Sequence, residues 1–334
     1  MVKAKRLSFI LWICTLLVPA GATDTLFLGP KNMRVSEEGE ISLVQPVAPQ
    51  ETFDNLWAYR LYPEQKKLTG QGVVVAVADS GITPHPEFNG KQVQGQDFTL
   101  SASIADLKNH GTGVASIVGA RGVKFTGVAP QAQLVVYKID DGSRLIGPQA
   151  AAAAIYTLLA YNQEHPENKI AVLNLSYGVM GGGNVALTKA INQAYESGVV
   201  IVCPAGNLSY PGVHYPANLA TTLSAGALAY GAGNVYANSS FGPELDFVAP
   251  GDRVYTASTD GGYVLMSGTS AAAGFISACA ALAVEGFRKK HGRYPTVPEV
   301  KESLIAASVK LPNVAREKQG YGFIDVKRLE EQFN

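Results

Sequence analysis

The stretch Val73-Val74-Val75-Ala76-Val77-Ala78-Asp79-Ser80-Gly81 starts as an unbroken apolar run and stops on an acid, a hydroxyl and a glycine. A short β-branched run of this kind, Val73 to Val77, suits a strand buried on both faces. Three more runs resemble it: Leu134 to Tyr137, Ala171 to Leu175 and Val199 to Val202. Between them, Pro148 to Tyr161 and Asn184 to Glu196 carry helical patterns. Pro148 suits a first helical position, and Gly198 stands where it can help end the second helix. The alternation predicts an α/β fold with a mostly parallel central sheet flanked by helices. Ligands in such sheets bind beyond the carboxyl ends of the strands. Asp79, Ser176 and Asn207 all follow strand-like runs, so a single sheet edge is the expected site.

Asp79 also opens a series of three phrases: Val77-Ala78-Asp79-Ser80-Gly81, Asn109-His110-Gly111-Thr112-Gly113 and Ser267-Gly268-Thr269-Ser270-Ala271. An acid, an imidazole and a hydroxyl are the groups that turn serine into an effective nucleophile. His110 is the candidate general base, because imidazole titrates near neutral pH. Asp79 would accept the other ring N–H and stabilise the imidazolium formed during attack. Ser270 opens the apolar run Ala271 to Ile276, which would place its hydroxyl at a helix N-terminus, where backbone N–H groups and the dipole favour negative charge. The other histidines, His85, His165, His214 and His291, lie outside these phrases; His214, beside a tyrosine-rich loop, is the one that could reach a substrate.

The three phrases, in this order, resemble those of subtilisin-like (S8 family) serine peptidases, whose triad runs Asp, His, Ser along the chain. The resemblance extends from about Trp57 to about Val326 and includes the closing segment Gly320-Tyr321-Gly322-Phe323-Ile324-Asp325. It implies that Asn207, in Cys203-Pro204-Ala205-Gly206-Asn207, is an oxyanion-hole donor and that Ser267 is the serine preceding the nucleophile. It further implies that Ser176-Tyr177-Gly178 and Pro204-Ala205-Gly206 wall the pocket for the substrate side chain before the scissile bond (P1). Small wall residues, with uncharged Leu208 after Asn207, lead to an expected apolar or aromatic P1 residue.

Three departures from the family pattern stand out. Gly274 replaces the usual proline four residues after the nucleophile. Glycine in a helix interior costs about 0.8–1.0 kcal/mol relative to alanine, so the position is either a looser nucleophile mount or a packing choice. Gly113 replaces a common histidine. The segment Gly119 to Thr126 is short and offers no side-chain carboxylate or amide where many relatives bind calcium, so calcium is not expected there. No cofactor is required for the chemistry, and structural calcium elsewhere stays open.

The 334 residues, 47% hydrophobic and 9% aromatic, suffice for a large core. Charges balance at 27 against 27, which gives no reason to expect nucleic acid or an anionic membrane surface as partner. Residues 1–22 read as a secretory signal: Lys3, Lys5 and Arg6, the apolar Leu7 to Val18, then Ala20-Gly21-Ala22. Residues 23–51 read as a short pro-segment or N-terminal arm, and 52–334 as the catalytic domain. A secreted or periplasmic location follows, with polypeptide substrates and no membrane anchor after signal cleavage. Cys203 and Cys279 are expected as buried free thiols. The leading function is a serine endopeptidase acting through an acyl-enzyme on Ser270. A peptide ligase using the same acyl-enzyme and a non-catalytic binding module are the alternatives.

Overall fold

The computed structural model describes residues 33–35, 41–43, 45–46, 56–62, 67–91, 93–142 and 147–334. The signal at 1–22 and most of the arm at 23–51 lie outside these residues. Nine strands form the central sheet, in the order Ser308–Val309, Phe323–Ile324, Phe247–Pro250, Leu223–Leu228, Val200–Pro204, Ile170–Leu175, Val74–Asp79, Gln133–Lys138 and Gln94–Asp97. Every pairing is parallel except the one between Ser308–Val309 and Phe323–Ile324. The four apolar runs are the strands at its centre, as the alternation predicts.

Each central strand is buried on both faces, and its side chains alternate between two cores. Val73, Val75 and Val77 enter one cluster, with the helices Gly111–Gly119, Thr269–His291 and Val297–Ala306. Val74, Ala76 and Ala78 enter the other, with the helices Gly147–Glu164 and Val185–Glu196. This is the period-two geometry of a strand turned into two layers. Asn184 caps the helix Val185–Glu196 by accepting from Leu187 N–H, and Gly198, at φ +80°, follows its end. The helix Thr269–His291 is long and apolar enough to cross a membrane, but 94% of its apolar window is buried against the sheet, which makes it the core helix of this layer. Cys203 and Cys279 are both buried, and neither is in a disulfide.

A second, antiparallel sheet joins Val254–Ala257, Tyr263–Met266 and the arm residues Gln45–Pro46. Arm strands Met33–Val35 and Ile41–Leu43 pair with each other.

From the strand Val74–Asp79 the chain first builds the Gln94–Asp97 side of the sheet, then returns past its start to build the Ile170–Leu175 side. The direction of winding reverses at this point, and a crevice opens beyond the ends of Val74–Asp79 and Ile170–Leu175. Asp79 and Ser176 stand at its mouth.

Candidate active site

Asp79 is the last residue of its strand, and its side chain is 2% exposed. One carboxylate oxygen, Oδ1, accepts from Ser80 N–H at 2.6 Å and lies 2.7 Å from His110 Nδ1. Burial alone would raise the carboxyl pKa. The imidazolium charge and hydrogen bond of His110, the Ser176 hydroxyl and the Ser80 N–H together outweigh it and hold the pKa below the ordinary aspartate value.

His110 is the N-cap of the helix Gly111–Gly119, with its side chain 31% exposed on the open side of the crevice. Its approach to Asp79 requires glycine at 111: a Cβ there would stand 2.3 Å from the Gly81 carbonyl oxygen and 3.1 Å from Asp79 Oδ1. The loop before it is anchored by a residue the sequence did not single out. Buried Asp106 accepts from the Ser80 hydroxyl, from Lys108 N–H and from Thr112 N–H, while Ser80 Oγ accepts from Gly111 N–H. Fully buried Lys138 donates to the Ala105 carbonyl at 2.7 Å and fixes the same loop from below.

Ser270 is the second residue of the helix Thr269–His291, whose N-cap is Gly268. It is therefore not a capping serine, and as an early helical residue its N–H has no carbonyl four residues back to bond. Ser267 is committed elsewhere: its hydroxyl donates to Asp252 and accepts from Arg253 N–H. The helices that carry His110 and Ser270 pack together at Gly274. A Cβ there would stand 3.3 Å from Ile117 Cγ2, tighter than ordinary contact, and 3.5 Å from Val114 Cγ1, within it. Gly274 is thus a packing glycine at the helix crossing. Gly113 is similar, since its Cβ would stand 2.8 Å from Met266 Cε.

Asn207 follows the strand Val200–Pro204, and its carboxamide has one orientation available. Thr269 N–H and Thr269 Oγ both donate to Asn207 Oδ1, at 2.8 and 3.0 Å. With the oxygen held, the Nδ2 donor is left to face the crevice. Thr269, the neighbour of Ser270, is thus the positioning residue for this amide; its place inside the phrase Ser267 to Ala271 was the available signal. A second unread residue is Asn174, fully buried, which donates to Ser176 Oγ and accepts from Ser277 Oγ on the helix that begins at Ser270.

The remaining histidines separate by environment. His85 accepts Glu87 N–H at Nδ1, which leaves Nε2–H to donate to Gly262 O. His165 and His291 are exposed, packed on Tyr161 and Phe287. His214 is buried beside the wall segments.

At Gly119 to Thr126 the groups turned inward are donors. Val123 N–H, Lys124 N–H and Tyr263 O–H all donate to the fully buried Glu87 carboxylate, at 2.9, 2.7 and 3.0 Å. Burial, then the Glu87 charge, raises the Tyr263 pKa, so the phenol keeps its proton. A ring of donors around a carboxylate does not fit a cation. Among the described residues, no group of three or more His, Cys, Asp or Glu side chains is placed to hold a metal.

The subtilase family profile matches residues 70–323, a span that takes in all three phrases, the central strands and the helix behind Ser270. The chain belongs to the subtilase family. It is 31% identical over 290 residues to the minor extracellular protease Epr of Bacillus subtilis, covering 83% of this chain and 42% of Epr. It is 36% identical over 219 residues to alkaline serine exoprotease A of Vibrio alginolyticus, covering 64% of this chain and 38% of that protein. The subtilase chain thus spans less than half the length of either relative. Among solved structures, the prenylagaramide maturation protease PagA superposes with a TM-score of 0.66 at 27% identity, covering 79% of this chain and 94% of PagA. A lanthipeptide protease shares the fold at a TM-score of 0.71 and 23% identity, covering 85% of this chain and 96% of that one.

Proposed function

We propose that this subtilase is an exported serine endopeptidase that cleaves polypeptides through an acyl-enzyme on Ser270. The observation that carries the reading is the Asp79–His110 contact of 2.7 Å on the sheet edge that also bears Asn207, whose carboxamide is fixed by the residue next to Ser270. In the reaction His110 Nε2 takes the Ser270 proton as Oγ attacks the scissile carbonyl. Asp79 holds the Nδ1–H and stabilises the imidazolium. The oxyanion is received by Asn207 Nδ2 and Ser270 N–H at the positive end of the helix. His110 returns its proton to the leaving amine, and water repeats the sequence to release the acyl group. Export is supported by residues 1–22 and by the extracellular protease Epr among the relatives.

Incubation with unfolded casein and a fluorophosphonate probe tests the reading. Labelling at Ser270 together with hydrolytic fragments is the expected result; a chain that neither labels nor cuts casein would overturn it.

Asn207→Ala is expected to lower kcat by about 10²–10³ with little change in KM, a magnitude borrowed from subtilisin, where the corresponding asparagine was removed. Steady-state kinetics on one peptide check this, and an unchanged kcat would move Asn207 out of the oxyanion site.

The lowered pKa of Asp79 sets the acid behaviour. A carboxylate held below its ordinary range stays ionised as the pH falls towards that range, so Asp79 is expected to add no step of its own to the acid limb of kcat/KM. The sign for stability follows from the same shift. A carboxyl depressed in the folded state stabilises the fold above its unfolded pKa and loses that contribution as pH drops through the folded one. A pH–rate profile beside acid unfolding monitored by circular dichroism separates the two events.

The segment Gly119 to Thr126 is held by Glu87 in place of calcium. Glu87→Ala strands three donors in a closed site and is expected to cost about 3–5 kcal/mol. Thermal denaturation measures this, and an unchanged melting temperature would count against the assignment.

A further inference from the structure

Asn174 is the one polar residue of the strand Ile170–Leu175, and it is fully buried. A carboxamide in such a place is costly unless its hydrogen bonds are met, whereas leucine would fill the position without that cost. Leu173 and Leu175 pack into the layer of the helices Gly147–Glu164 and Val185–Glu196. Strand alternation turns Asn174 the other way, towards the helix Thr269–His291. There it lies between two hydroxyls, with Nδ2 2.8 Å from Ser176 Oγ and Oδ1 3.1 Å from Ser277 Oγ. Ser277 stands about two turns beyond Ser270 on the same helix. Ser176 stands beside the triad acid: Ala78 pairs with Leu175, and Ser176 N–H donates to Ala78 O at 3.0 Å. Against the raising effect of burial, the charge and hydrogen bond of His110 and then the hydrogen bond of the Ser176 hydroxyl hold the Asp79 carboxyl below its ordinary value.

These contacts fix the direction of every proton in the row. An ionised carboxylate can only accept, so Ser176 spends its single hydroxyl proton on Asp79. Towards Asn174 the Ser176 oxygen can then only accept, and the group facing it must be Nδ2. That leaves Oδ1 for Ser277, which donates to it. We propose that Asn174 is a positioning residue of the reaction: it takes the Ser277 proton, gives its own to Ser176, and thereby keeps the Ser176 hydroxyl aimed at Asp79. The assignment rests on the endopeptidase reading above. Without Nδ2 the Ser176 hydroxyl is free to turn to another acceptor, and Asp79 loses a donor that stabilises its charge. The same row ties the strand end beside the triad acid to the helix that carries the nucleophile, through side chains the substrate never touches.

The test compares wild type, Ser176→Ala, the pair Asn174→Leu with Ser277→Ala, and all three substitutions together. One peptide substrate is used, with active sites counted by fluorophosphonate. The pair replaces both polar partners by apolar groups, so the melting temperature is expected to hold. Its kcat is expected to fall at least about tenfold, the scale of a lost hydrogen bond to a charged group. KM should not change, because Asn174 and Ser277 are fully buried. The acid limb of kcat/KM should move to higher pH, since a carboxylate deprived of a donor attracts a proton more strongly. The triple variant should be no slower than Ser176→Ala, because Asn174 acts only through that hydroxyl. Wild-type kcat with an unmoved acid limb in the pair overturns the proposal, and so do losses that multiply in the triple variant. Should the pair not fold, Ser277→Ala alone leaves the strand untouched and only unlocks the carboxamide; an unmoved acid limb there overturns the proposal equally. Wild-type chain that neither labels nor cleaves the peptide would defeat the endopeptidase reading itself, and the assignment with it.

Discussion

Ser270→Ala is expected to lower kcat by about 10⁶, the scale on which loss of the nucleophile acts in subtilisin, and to abolish fluorophosphonate labelling. The variant should fold as wild type does. Ser270 lies on the open side of a helix whose next residues, Ala271, Ala272 and Ala273, are all buried, so removing one oxygen disturbs no core contact. Some rate above the uncatalysed reaction should persist, because Asn207 and the helix N-terminus still receive an oxyanion when water attacks. Undiminished labelling of the variant would place the nucleophile elsewhere.

Asp79→Asn is expected to lower kcat by about 10⁴, the size of effect measured for this substitution in an unrelated Ser-His-Asp enzyme. The amide keeps the shape of the carboxylate and an oxygen for Ser80 N–H, so the loop geometry should survive. It cannot stabilise the imidazolium, and it allows the imidazole to settle in the wrong tautomer. KM should change little, since Asp79 is buried and touches no substrate. Combined with Ser270→Ala the substitution should add almost nothing, because the members of a triad act as a unit. Kinetics of both single variants and the double variant check this; a further large loss in the double variant would mean that Asp79 serves something besides His110.

The parts of this architecture that rest on local pattern were legible in the sequence. Val73 to Val77 and its three counterparts read as doubly buried strands because almost all of their side chains are apolar, as the space between two helical layers favours. Asp79, His110 and Ser270 read as a set because each sits in a glycine-bearing phrase. What stayed hidden depends on partners distant in sequence. The strand Gln94–Asp97 is polar and largely exposed at the sheet edge, with no run to betray it. Glu87 and Asp106 look like surface acids until the fold brings backbone donors from 36 and 37 positions away to Glu87 and the Ser80 hydroxyl from 26 positions away to Asp106. Lys138 follows an apolar strand and gives no sign that its amine is buried on a carbonyl. His214 could be suspected of reaching a substrate, but only the bond from its N–H to Ala205 O and the burial of its side chain show that it packs beside the wall segments.

Thr269 both immobilises the Asn207 carboxamide and precedes Ser270, so the attacking oxygen and the group that receives the new charge share one mount. Thermal displacement of that mount carries the two together and preserves their spacing. His110 belongs to a different helix, coupled to the first through side chains at Gly274, Ile117 and Val114. Fluctuation between the helices is therefore felt chiefly along the path of the proton. On the proposed mechanism, proton hand-off would be the coordinate exposed to noise, and oxyanion capture the one shielded from it.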